Sequence, residues 1–262
     1  MEKKISFERL DKILSSSGYG SRRDVKNLVR GKNVKVNGKL VLSPDEKVSV
    51  ENDKIEVDGK ILEIAVNAYF MLNKPAGYVC STKSDSHNLV MELLKDEENR
   101  KYLGGNLNMV GRLDLDTEGL LIITSDGLLN HKLTFPKYRA EKTYLVYLRD
   151  KVDCEKRKFY KEEIVRGIHI DAEGKAAEAD CAPANLEWKD EDEFPEIPAV
   201  CLISVYEGMF HEIKRIFKAL GNEVIYLKRL KINNLNLDPN LKPGEYRTLS
   251  GEELELLCSS TC

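Results

Sequence analysis

The sequence predicts an α+β protein in two parts, a small basic α/β head and a larger body on a mixed, mostly antiparallel sheet. Three observations carry that prediction. The first 60 residues read as two short helices followed by alternating strand-like segments. From Tyr69 to about Leu257, short strand-like runs alternate with a few helical ones. A chain of 262 residues, 42% hydrophobic and 32% charged, is long enough for one small and one medium core.

In the head, Ser6 is the expected N-cap of a first helix with Leu10, Ile13 and Leu14 at helical spacing, ended by Gly18 and Gly20. Ser21 caps a second helix through Val25, Leu28 and Val29, which stops at Gly31. Val34 and Val36 alternate with Lys35 up to Asn37-Gly38, a two-residue hairpin signal. Ser43-Pro44 and the alternating Val48, Val50, Ile55 and Val57 complete a unit that ends near Gly59. The head therefore spans 1–60, and a polar linker spans 61–68.

The body, 69–257, opens on Tyr69-Phe70-Met71-Leu72, a buried strand stopped at Asn73-Lys74-Pro75. Thr143-Tyr144-Leu145-Val146 alternates as a strand. Glu187–Glu196, with six acids and Pro195, reads as a surface loop. Phe210–Leu220 is helical, with Ile213, Ile216, Phe217 and Leu220 as its apolar stripe, which leaves Lys214, Arg215 and Lys218 off the core face. Residues 258–262 are a frayed tail.

Composition narrows the function. No apolar stretch is long enough to span a bilayer and no signal-peptide core follows Met1-Glu2-Lys3-Lys4, so a cytoplasmic protein without membrane association is expected. The six cysteines form no Cys-x-x-Cys pair and the four histidines lie at no zinc-ligand spacing from them, so no metal site is expected. Net charge is −3, but residues 1–42 hold 11 lysines and arginines against 4 acids. That segment is thus 7 positive in excess and the remainder 10 negative. A basic head on an acidic body points to nucleic acid at the head, where Arg9, Lys12, Arg22, Arg23 and Lys26 could form one face for phosphates.

The richest stretch is Gly111-Arg112-Leu113-Asp114-Leu115-Asp116-Thr117-Glu118-Gly119-Leu120-Leu121. Three acids at alternate positions between two glycines stand on a loop that leads into an apolar strand, where a catalytic acid is readily displayed. From the residues alone, Asp114, Asp116 and Glu118 are equal candidates.

A resemblance separates them. Arg9–Lys12, Ser21-Arg22-Arg23 and Val34–Gly38 are similar to the S4-like RNA-binding domain. Phe70–Thr82, Gly111–Leu121, Glu141–Val146 and Glu207–Phe217 resemble, in order, the signatures of pseudouridine synthases of the RsuA type. The opening Tyr69–Pro75 with Gly77–Thr82, and Glu141–Val146, are closer to the small-subunit rRNA enzymes than to their large-subunit relatives. One departure is Glu212, where the family usually has glutamine.

The resemblance implies isomerisation of one uridine in helix 18 of 16S rRNA, met in a partly assembled small subunit by a monomeric enzyme without cofactor. It implies Asp114 as the catalytic carboxylate, either nucleophile at the ribose or base forming a glycal. Tyr144 stacks on the flipped uracil, Lys214 pairs with Asp114, and Arg112 orders the loop and fills the gap left by the extruded nucleotide. Lys74 and Arg215 are expected among the RNA contacts. His211 reads equally as a structural residue or an RNA contact. The rival readings are the same chemistry on 23S rRNA or another structured RNA, a non-catalytic S4-like binder, and a hydrolase using the paired acids.

Overall fold

The computed structural model describes residues 7–17, 19–49, 52–62, 67–94 and 107–259. Ser6, Gly18, Val50 and Cys262 lie outside them. Contacts divide the chain into two units, Met1–Ala68 with Leu94–Leu107, and Tyr69–Leu93 with Asn108–Cys262.

The head runs β1 (Phe7–Arg9), α1 (Leu10–Ser16), α2 (Arg22–Arg30), β2 (Val34–Val36), β3 (Lys39–Leu40), β4 (Lys47–Ser49), β5 (Ile55–Val57) and β6 (Lys60–Ile61). Arg9 occupies the N-cap of α1 without a side-chain cap bond. Ser21 caps α2 through a capping box, its Oγ accepting from the Asp24 N–H while the Asp24 carboxylate accepts from the Ser21 N–H. Asn37 and Gly38 both have positive φ, 50° and 77°, which turns β2 into β3 with the twist a two-residue hairpin needs. Leu10, Ile13, Leu14, Val25, Val29, Val34, Ile55 and Val57 fill one core.

The linker expected from residue 61 begins later. Asp58-Gly59 is a second turn of the same kind, with φ of 49° and 79°, so β6 pairs back on β5 and Leu62 bonds to the Ile55 carbonyl. Asp-Gly is as strong a hairpin signal as Asn-Gly, and its reading as an end point missed the returning strand.

The body contains β7 (Tyr69–Lys74), β8 (Tyr78–Val79), β9 (Asn88–Leu89), β10 (Asn108–Val110), β11 (Glu118–Thr124), α3 (Gly127–Thr134) and β12 (Lys142–Leu148). It continues with α4 (Cys154–Arg166), β13 (His169–Ile170), β14 (Ala179–Asp180), β15 (Asn185–Trp188), β16 (Ala199–Val205) and α5 (Glu212–Ala219). It closes with β17 (Val224–Ile232), β18 (Leu235–Asn236), β19 (Tyr246–Thr248) and α6 (Gly251–Cys258). Among the described residues the main sheet runs β15-β16-β12-β17-β11-β7-β19, with β10 on β11 and β18 on β17. Every pair in it is antiparallel except β11 with β17. The architecture is therefore α+β with a mixed, mostly antiparallel sheet. Met71, Val110, Leu120 and Ile122 pack with Leu129 and Leu133 of α3 and Leu257 of α6.

The parallel pair is short, Glu118 beside Lys228 and Gly119 beside Arg229. Gly119 has φ +101°, and a Cβ there would lie 2.2 Å from the Arg229 carbonyl oxygen. Gly119→Ala should cost about 3 kcal/mol or more, because overpacking adds to backbone strain. Gly38→Ala, where nothing stands within 4 Å, should cost only about 1–2 kcal/mol from its positive φ. Urea unfolding of the two variants checks the contrast, and equal losses would refute the close approach as its cause.

Candidate active site

Strand β7 ends by pushing a lysine into the interior. Lys74 is fully buried, and its Nζ donates to the carbonyls of Thr117 (2.8 Å), Asp114 (3.0 Å), Pro75 (3.1 Å) and Leu115 (3.4 Å). Burial lowers its pKa, against the pull of Asp114, Asp116 and Glu118. Gly77 N–H also bonds to Leu115 O, and Thr117 N–H to Asp114 O. The loop before β11 is thus wrapped around an ammonium. Lys74 was expected among the RNA contacts; it is instead enclosed by protein carbonyls and sets the loop's shape.

That loop sends its three acids to different neighbours. Glu118 accepts from the Tyr226 hydroxyl at 2.8 Å. Asp116 is exposed and takes both short bonds from Lys214 Nζ, at 2.6 and 2.8 Å. Burial opposes its ionisation, but the lysine outweighs that and lowers its pKa. Asp114 lines a cleft with Arg112, Thr117, Tyr144, Gly208, His211, Glu212 and Lys214, an open space of about 410 Å³. Its Oδ2 lies 3.7 Å from Lys214 Nζ and its Oδ1 3.8 Å from His211 Nε2. The expected Lys214–Asp114 pair is present, but Asp116 holds the lysine more closely. Thr117 Oγ1, in the same cleft, is buried without a hydrogen-bond partner.

Tyr144 comes from the buried face of β12, whose residues alternate strictly in exposure. A register shift between Thr143 and Tyr144 places the tyrosine opposite Arg229 on β17, as bulges beside functional sites commonly re-aim a side chain. The Arg229 guanidinium stands 5.9 Å from the Tyr144 ring centroid. It donates to Leu120 O (2.7 Å), Gly111 O (3.2 Å) and the Tyr144 hydroxyl (3.4 Å). Burial raises the Tyr144 pKa, with Arg229 pulling it down. Lys142, two residues before Tyr144 on the same buried face, donates to Ala140 O, and burial with the nearby Arg229 brings its pKa down to about 8.

Sequence reasoning missed Arg229 and Lys142. The available signal was parity: Arg229 shares its side of β17 with Leu227, which is buried.

Helix α5 supplies Lys214, half-exposed beside the acids. Arg215, expected off the core face as an RNA contact, is buried. Its guanidinium donates to Asp171 O (2.6 and 3.0 Å), Ala177 O (2.6 Å) and Phe210 O (3.3 Å). The β13–β14 hairpin covers this side of the helix, and no local pattern announces so distant a cover. Glu212 is buried too, one carboxylate oxygen accepting from the Gly208 and Met209 N–H groups at 2.6 and 3.1 Å. A glutamine oxygen could accept the same two bonds, so the departure at this position preserves the turn. Burial raises the Glu212 pKa against those bonds.

In the head, Arg9 grips Asp11 with two nitrogens (2.9 and 3.0 Å), and Lys12 pairs with Glu8 at 2.6 Å. Arg22, Arg23 and Lys26 are exposed on α2. The basic face is therefore carried mainly by α2, with Arg9 and Lys12 already partly neutralised. The Lys12–Glu8 pair is exposed and weak, of the kind a phosphate can displace.

Comparison with known proteins agrees with this geometry. Residues 68–219 match the family model described as RNA pseudouridylate synthase, and residues 8–55 match the S4 domain. The chain is 39% identical to the uncharacterized RNA pseudouridine synthase YtzG of Bacillus subtilis, over 95% of this chain and 98% of that one. It is 35% identical to ribosomal small subunit pseudouridine synthase A of Escherichia coli, over 94% and 98% of the two chains. A crystal structure of a pseudouridylate synthase is similar with a TM-score of 0.62 at 37% identity, covering 95% of this chain and 99% of that one. With four signatures in order, an acid-bearing cleft between β11 and α5, and full-length relatives of one kind, this chain belongs to the RNA pseudouridylate synthase family and carries an S4 domain.

Proposed function

We propose that the body converts one uridine of 16S rRNA, in helix 18, to pseudouridine, with Asp114 as catalytic carboxylate and the head as phosphate grip. The observation that carries the catalytic reading is the division of labour among the three acids. Asp116 and Glu118 are engaged by Lys214 and Tyr226, whereas Asp114 faces the cleft that Tyr144 lines. The small-subunit target is supported by relatives named for it that match over nearly their whole length. A partly assembled subunit is the proposed form of the substrate, and a monomer the proposed form of the enzyme.

The reaction breaks the N1–C1′ bond, turns the uracil and joins C5 to C1′; a proton leaves C5 and N1 ends protonated. Atoms and electrons balance without an oxidant or reductant. Asp114 acts at the ribose, either attacking C1′ or removing the C2′ proton on the way to a glycal. Tyr144, held by Arg229, gives the detached base a flat surface. Lys214 keeps negative charge favourable on the loop. Arg112, exposed at the rim, fills the stack vacated by the flipped nucleotide.

Carbodiimide primer-extension mapping of 16S and 23S rRNA tests the proposal, using cells that lack the protein, complemented with wild type or Asp114→Asn. A single 16S stop restored by wild type alone is the expected result; a 23S stop would transfer the enzyme to another target. In vitro, Asp114→Asn should lower turnover by about 10³-fold or more while RNA affinity stays within about threefold. Persistent activity would sink the assignment. Changing Arg22 and Arg23 together to alanine should weaken RNA binding and reduce the slope of log K against log salt by about 1.5–2, leaving the rate of bound RNA unchanged. An unaltered slope would remove the head from the grip.

A further inference from the structure

The Glu207–His211 turn holds one imidazole in an unusual way. His211 is the N-cap of α5, yet it sits at φ 49°, ψ 29° and makes no side-chain cap bond. The left-handed region disfavours a residue with a Cβ by about 1–2 kcal/mol, so another contact must hold the residue there. The ring stacks on Phe210 with centroids 3.7 Å apart and planes 20° from parallel. Its Nδ1 is 2.8 Å from Glu173 Oε1, and its Nε2 is 3.8 Å from Asp114 Oδ1. The imidazole thus lies in line between two carboxylates.

Glu173 is itself fixed from behind. It sits on the turn of the β13–β14 hairpin, where Glu173 and Ala176 exchange both backbone bonds. Arg215 bonds to Asp171 O and Ala177 O on that hairpin and to Phe210 O beside His211. One guanidinium therefore ties the Glu173 turn to the His211 turn. Glu173 has its pKa lowered by the His211 hydrogen bond first and by the Lys218 and Arg215 charges after it. The charged groups around the ring are Glu173, Asp114 and Asp116 on one side of the balance, Lys214 and Arg215 on the other.

We infer that Glu173 and His211 are positioning residues for Asp114, with Glu173 fixing the ring at Nδ1 so that Nε2 braces the Asp114 carboxylate on the side opposite Lys214. The inference rests on Asp114 as the catalytic carboxylate. Each oxygen of Asp114 then has one nitrogen partner, Lys214 at Oδ2 and His211 at Oδ1. Both stand at 3.7–3.8 Å, and catalytic contacts of this length tighten in the reacting complex. Lys214 is shared with Asp116 through one nitrogen, whereas His211 meets Glu173 and Asp114 with separate nitrogens, so its Nε2 is the contact that fixes the rotation of Asp114.

Two measurements test this. The first is the single-turnover rate on uridine-containing RNA tritiated at C5, with RNA affinity measured in parallel. His211→Ala and Glu173→Ala should slow the rate by roughly 10–100-fold at RNA affinity within about threefold. Added imidazole should restore part of the His211→Ala rate, because the ring's place lies open to the cleft. A wild-type rate in His211→Ala, or a loss confined to RNA affinity, overturns the inference. The second needs no turnover: long-range ¹H–¹⁵N spectra of the four histidines, His211 being the signal absent from His211→Ala. The expected spectrum has a proton on each ring nitrogen, the Nδ1 signal altered in Glu173→Ala and the Nε2 signal altered in Asp114→Asn. A resonance indifferent to both changes overturns the inference as well. If the wild type forms no pseudouridine, the functional proposal fails while the spectra still decide the arrangement of the three residues.

Discussion

Everything in the site hangs on one buried ammonium. Lys74 leaves the end of β7 with no carboxylate in direct contact among the described residues, and four main-chain carbonyls converge on it. A charge removed from water must be resolvated by something, and here the solvent is a loop folded into a cage. The consequence is mechanical. Residues 114, 115 and 117 cannot shift without uncovering a buried cation, so the cation fixes the backbone from which Asp114, Asp116 and Glu118 project. A neutral side chain of the same length would leave several buried acceptors unmet, each a loss of about 1–3 kcal/mol.

The loop so fixed must then enter β11 beside β17, and this is where Gly119 becomes necessary. The only parallel pairing in the main sheet among the described residues begins at Glu118 and Gly119. It brings the Arg229 backbone to the acid-bearing loop and, with it, the guanidinium that bonds Leu120 O, Gly111 O and the Tyr144 hydroxyl. Arg229 therefore does for the tyrosine side of the cleft what Lys74 does for the acid side. Arg215 repeats the device a third time, with the carbonyls of Asp171, Ala177 and Phe210. Three of the four buried cations among the described residues, each bonded to main-chain oxygens, thus hold three loops in place. Dipoles placed this way need no rearrangement when charge develops on the substrate, which is where electrostatic catalysis gains most.

This recurrence explains what could and could not be read from the sequence. Local chemistry was legible: Ser21 with Asp24, Asn37-Gly38, and the alternation of β12 that turned Tyr144 inward each follow from one short window. The mixed sheet was legible too; the acids stood out as a group by their spacing, and only resemblance singled out Asp114. Lys74 and Arg215 were not legible, because hydropathy assigns every cation to solvent, and Arg229 was missed although strand parity put it on the side of Leu227. Their partners are carbonyls, which every residue carries and which leave no mark on composition. Arg215 was placed outside the apolar stripe of α5 because the hairpin covering it lies some forty residues earlier, in Asp171–Ala177. Asp58-Gly59 failed differently. Its signal was present and was read as an ending instead of a turn.

The same distinction separates the cations that bind from those that build. Lys214 and Arg112 border the cleft, and Arg22, Arg23 and Lys26 stand exposed on α2, where phosphates can reach them. The buried three already have their acceptors and offer nothing to RNA. Counting positive charges thus overstates the grip on substrate. The surface open to phosphate is the exposed subset, and phosphate contacts in general carry affinity without reading sequence. On the proposed function, selection of one uridine falls to the cleft, where the extruded base would meet Asp114 and Tyr144 together. On the same proposal, a nucleotide that stays stacked never presents C1′ to Asp114, so phosphate binding and choice of target fall to different residues.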